Sequence, residues 1–143
     1  MPTAANPTAP GFILDAAEFL NASELLLNRR TDISLPTFFL LGRAIELSLK
    51  AFLLHTGCNG QDLKGYGHNL SKLYDAANES GLPEGARLEQ PEIGALDLLS
   101  QEYLSTRLGY RDTAGIYYLP RIDLAENAAR RLVGGVDKVI NAG

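Results

Sequence analysis

Between Phe38 and Gly57 the chain reads FFLLGRAIELSLKAFLLHTG, apolar on nearly every side of a helix yet interrupted by Arg43, Glu46 and Lys50 at spacings of three and four. A helix that is apolar almost all round is a buried one, so the remaining elements must be arranged around it. Taking an ionisable group into such surroundings costs on the order of several kcal/mol per ion unless it finds a partner. The three charged side chains therefore pair with one another or with something bound. Arg43 to Glu46 is an i,i+3 pair and Glu46 to Lys50 an i,i+4 pair with the glutamate N-terminal, the favourable orientation. Two readings stand side by side: a structural ladder, and an anion site in which Arg43 and Lys50 supply positive charge while Glu46 orients them.

The rest of the chain punctuates into helices. MPTAANPTAP, small and Pro-rich, reads as a flexible leader over residues 1–10, and residues 11–143 as one helical domain. Phe12, Ala16, Phe19, Leu20, Ser23, Leu26 and Leu27 place a core face on a first helix from Phe12 to Arg29, with the basic Arg29 and Arg30 suiting its C-terminus. Ser34 as N-cap and Pro36 in the first turn open the apolar helix, which runs to His55 and stops at Gly57. CNGQDLKGYG, with its glycines and Asn-Gly pair, reads as a loop. A helix then opens at His68 or Asn69 and continues through Asn78, with Leu70, Leu73, Tyr74 and Ala77 on one face, halted by Gly81 and Pro83. Glu84 to Gln90 reads as a connector, Pro91 to Arg107 as a fourth helix with Ile93, Leu96, Leu98, Leu99 and Tyr103 supplying apolar contacts, LGYRDTAGIYYLP as a structured loop, and Arg121 or Asp123 to Asn141 as the last helix. Within that helix Gly134 and Gly135 each cost about 1 kcal/mol relative to Ala, which predicts a kink or a close contact. The expected fold is all-α, a single-domain bundle of about five helices.

Composition removes several function classes. With 143 residues, the chain is long enough for one core that buries roughly 68–70% of the unfolded surface. The net charge of −4 offers no general attraction to nucleic acid or an acidic membrane, so any such contact needs a local basic patch. One cysteine, Cys58, and two histidines exclude an internal disulfide and leave no persuasive metal cluster; neither a metal nor a cofactor is expected. Arg43, Glu46 and Lys50 would each cost about 2.5–3.5 kcal/mol at the centre of a membrane span, which argues against insertion. A soluble, cytoplasmic protein is the expectation.

GRAIELSLKAFLL, a Gly-containing loop, and then YGHNLSKLYDAA resemble the HEPN superfamily, the higher-eukaryote and prokaryote nucleotide-binding domains. The likeness lies in the E-L-x-L-K-A pattern around Glu46 and Lys50, in Gly67-His68-x-Leu70 at the next helix, and in Arg107, Tyr110 and Arg111 ahead of the last one. The resemblance implies an up-and-down bundle that dimerises and forms a cleft for nucleotide or RNA, with a nucleotidyltransferase or another defence or toxin–antitoxin component as a partner protein. Many members cleave RNA with an arginine and a histidine four to six residues apart. This chain departs from that pattern: His55 lies twelve positions after Arg43, and no histidine follows Arg107 or Arg111. No catalytic residue is therefore carried over.

The candidate ligand-binding residues are Arg43, Glu46, Lys50, His68, Arg107, Tyr110 and Arg111. His68 is placed to cap a neighbouring helix, to meet an exposed amide or to bond the Glu46–Lys50 pair. Arg107, Tyr110 and Arg111 combine phosphate-gripping guanidinium groups with a face for base stacking, although Glu102 and Asp112 offer the arginines ordinary partners. Tyr117 and Tyr118 read as core or interface aromatics, and His55 as a favourable charge at a helix end. Three functions remain open: a non-catalytic binding or dimerisation module, a divergent metal-independent ribonuclease, and a structural adaptor.

Overall fold

The apolar run forms helix α2, Leu35–His55, and its buried residues follow one another almost without a gap from Leu41 to Leu49. The structure is a computed structural model and describes residues 7–29, 34–105 and 116–142. Every other helix packs on α2. The most extensive partner is α1, Ala9–Arg29, which buries Ile13, Ala16, Leu20 and Ser23 along one stripe. Helix α6, Ile122–Ile140, lies against both and presents Ala125, Ala128, Ala129, Leu132, Val133 and Val136 to the core. Helices α4, Leu70–Glu79, and α5, Gln90–Leu104, pack on each other and on α2. The all-α bundle expected from the sequence is observed, and no strand occurs among the described residues.

Among the described residues it contains six α-helices rather than five. The Cys58–Gly67 stretch, expected to be a loop, holds a short helix α3, Gly60–Tyr66. A capping box outweighs its glycines: the Asn59 side chain accepts from the Asp62 N–H at 2.8 Å, and the Asp62 carboxylate accepts from the Asn59 N–H at 2.9 Å. Leu63 then anchors the short helix in the core. Gly67, with φ of 57°, turns the chain toward α4.

Other boundaries shift modestly. Helix α1 starts inside the expected leader, at Ala9, because the Thr8 hydroxyl accepts from the Gly11 N–H at 3.1 Å and Pro10 is tolerated in the first turn. Ser34 occupies the N-cap of α2 without a capping bond from its side chain. Helix α5 ends at Leu104, short of Arg107, and the connector before it includes a 3-10 turn, Glu84–Ala86. Gly135 meets that turn: a Cβ there would lie 2.5 Å from the Cβ of Ala86, whereas one at Gly134 would meet open space. The close contact expected of the Gly-Gly pair therefore belongs to Gly135 alone.

Candidate functional site

Glu46 is the centre of the site. Its carboxylate, 1% exposed, accepts four hydrogen bonds: from Arg43 Nη1 at 3.3 Å and the Tyr103 hydroxyl at 2.5 Å on Oε1, and from Lys50 Nζ at 2.7 Å and His68 Nδ1 at 2.7 Å on Oε2. Four is about the number a carboxylate has lone pairs to accept. Arg43 and Lys50 arrive by helical spacing along α2, whereas His68 comes from the turn before α4 and Tyr103 from α5. One buried side chain thus joins three helices.

Each donor is positioned by its own local chemistry. Asn69 caps α4 by accepting from the Lys72 N–H at 3.1 Å, and that fixes the turn on which His68 sits. Ser100, one turn before Tyr103 on α5, accepts from the Ser71 N–H at 3.2 Å, and Ser71 Oγ donates to Asp97 at 2.7 Å. The start of α4 is therefore held on the same face of α5 that delivers Tyr103. Gly42 makes room for the tyrosine, since a Cβ at that position would lie 2.5 Å from Tyr103 Cδ1. The ring also rests against Phe39, at 5.9 Å between centroids, and edge-on to His68, at 6.3 Å. Arg43 lies 5.3 Å from the centroid of Phe19 on α1, within cation–π range.

Burial alone pushes the Glu46 carboxyl up; the hydrogen bonds from Lys50 and Tyr103, the Lys50 charge and the His68 bond outweigh it, and the group titrates below its ordinary value. Burial, then the charge of Glu46 and the bond to it, push the Tyr103 phenol well above its usual range. Near neutral pH the site thus holds a carboxylate and a protonated phenol. Because an ionised carboxylate only accepts, Nδ1 of His68 carries the proton, and Nε2 of a neutral ring has a free lone pair.

The site is graded from inside to outside. Side-chain exposure rises from 1% at Glu46 through 14% at Lys50 and 30% at Arg43 to 60% at His68. Arg43 and His68 thus form its solvent side, within two hydrogen bonds of each other through one carboxylate. Of the residues singled out from sequence, Arg43, Glu46, Lys50 and His68 come together, while Arg107, Tyr110 and Arg111 lie outside the described residues. His55 ends α2 on the exposed surface. Tyr117 packs against the core, but Tyr118 is exposed, its N–H donating to Glu102 at 3.1 Å. Tyr103 is the residue that sequence reasoning assigned only to packing. The signal for it was Gly42, a glycine at the centre of a helix one turn before a buried charge.

Among the described residues there is no cluster of three or more metal-ligating side chains, and no helix is long and apolar enough to cross a membrane. No protein-family model matches the chain, and no curated protein or solved structure is significantly similar to it.

Proposed function

We propose that the chain is a non-catalytic, HEPN-like module that binds RNA or a nucleotide at the surface formed by Arg43 and His68. The observation that carries this reading is the buried Glu46, which holds an arginine, a lysine and a histidine at fixed positions. Arg43 and Lys50 together outweigh the one carboxylate, leaving local positive charge on a chain whose net charge is −4. A guanidinium already oriented by Glu46 and Phe19 loses little side-chain freedom on meeting a phosphate. The HEPN resemblance supports the same reading and adds a second copy of the chain and a nucleotidyltransferase as the protein partners to look for.

Fluorescence anisotropy with a labelled single-stranded RNA and with a labelled nucleotide tests it. Binding at low salt that weakens as salt rises is expected. Arg43→Met and His68→Ala should each weaken it on the order of tenfold, equivalent to about 1.4 kcal/mol. Absence of binding at low salt, or full affinity in both variants, would leave the adaptor reading in its place.

One observation favours the ribonuclease alternative. His68 is oriented through Nδ1, as a base is when a carboxylate fixes its tautomer, and Arg43 sits on the same carboxylate. Product analysis on denaturing gels separates the two: RNA cleavage by the purified protein that disappears in His68→Ala establishes catalysis, and intact RNA leaves binding.

A further inference from the structure

Lys50 serves two places. Its ammonium donates to Glu46, and its side chain also lines a cleft of about 670 Å³ formed by the start of α1, the end of α2 and α3. Phe12, Leu54 and Leu63 supply apolar wall, and Lys64, exposed on α3, adds a second cation. No carboxylate occurs among the described residues that line the cleft. The volume falls within the usual range for sites that hold small organic molecules.

We infer that this cleft binds a small organic anion, with an apolar body against Phe12, Leu54 and Leu63 and a single carboxylate or phosphate head facing Lys50 and Lys64. An ammonium has three donors, and Glu46 engages one of the three on Lys50. An anion in the cleft therefore shares Lys50 with Glu46 without breaking the pair. Lys64 and the donors of Lys50 that Glu46 leaves unused select for negative charge, even on an acidic chain, and the wall selects for an apolar body. The inference shares Lys50 with the proposed RNA surface but uses neither Arg43 nor His68, so each can fail without the other.

Cys58, half-buried, lines the cleft and is the single cysteine of the chain, so its alkylation reports on occupancy. The rate of N-ethylmaleimide modification is measured with 1-naphthyl phosphate, 1-naphthoate or neutral 1-naphthalenemethanol present at millimolar concentration. At least one of the two anions should slow the reaction, and the more protective one identifies the preferred head group. The alcohol should protect much less. Lys64→Ala should raise the anion concentration needed by about five- to tenfold, with thermal unfolding and RNA binding unchanged. Amide shifts of Leu54, Cys58 and Lys64 in a titration with the same compounds provide the readout if the thiol does not react. Absence of both protection and shifts with either anion, equal binding of the alcohol, or an unchanged requirement in Lys64→Ala would overturn the inference.

Discussion

Two of the ion networks that join helices in this bundle differ in where the charges sit. Around Glu46 a single carboxylate is sealed among α2, α4 and α5 with all of its acceptor capacity used. Between α1 and α6, Arg130 bonds Glu24 through Nε at 2.6 Å and through Nη2, and reaches Glu126 at 2.9 Å, but the arginine is 56% exposed. The connectivity is similar and the energetics are not. Water can replace any partner lost from the outer network, whereas a donor removed from the inner one leaves a buried carboxylate oxygen short of a partner.

The strongest way to break the comparison is to remove the inner carboxylate. Glu46→Ala leaves the Lys50 ammonium and the Tyr103 hydroxyl without their acceptor, and should cost about 3–5 kcal/mol in denaturant unfolding. Loss below about 1 kcal/mol would place Glu46 in the same class as the surface pairs. Tyr103→Phe is the next test. It keeps the ring that fills the space beside Gly42 and removes one donor to a charged acceptor, with an expected cost of about 1.5–3 kcal/mol.

Acid should act on the two networks with opposite sign. Glu46 titrates below its unfolded value of about 4.3, so its contribution is present above that pH and is lost as the pH falls through the folded value. Glu126 is displaced upward, first by burial and then by its hydrogen bond with Glu24. Its folded form therefore takes up a proton more readily than the unfolded chain, and the penalty it imposes is relieved as the pH falls. Urea midpoints followed from neutral pH into the acid range should decline less steeply in Glu46→Gln than in the native chain, and more steeply in Glu126→Gln.

What was legible in the sequence follows the range of each interaction. Helix α2 and the pairing of Arg43, Glu46 and Lys50 depend on spacing within one helix, and spacing can be read directly. The sequence offers the Glu46 bond as only one of several roles for His68 because the partner lies 22 residues away, and it shows Tyr103 as a packing residue because its partner lies 57 away. Neither separation leaves a periodic trace. Helix α3 is masked in the sequence for a local reason: its glycines and Asn-Gly pair signal turns, whereas the Asn59–Asp62 box satisfies the exposed amides of so short a helix. The glycine at position 42 carried information in the other direction. A residue costing a helix about 1 kcal/mol, set one turn before a buried charge, marks where another side chain must approach.

The smallest expected effect sharpens the comparison most, because the outer network also ties two helices together through direct ion pairs. Arg130 engages two carboxylates from two helices, so counting bonds alone would rank it near Glu46. Exposure predicts otherwise: the guanidinium gains little Coulomb energy in water, holds a long side chain in one geometry and is screened by salt. Arg130→Ala should therefore cost less than about 1 kcal/mol, and that cost should shrink at molar salt. The loss in Glu46→Ala should persist there, since a sealed carboxylate is screened far less. A double-mutant cycle over Glu24 and Arg130, run at low and high salt, measures the pair itself. A coupling above about 2 kcal/mol that ignored salt would mean that α1 and α6 are held by charge as firmly as the helices around Glu46, and that burial is not what separates the two networks.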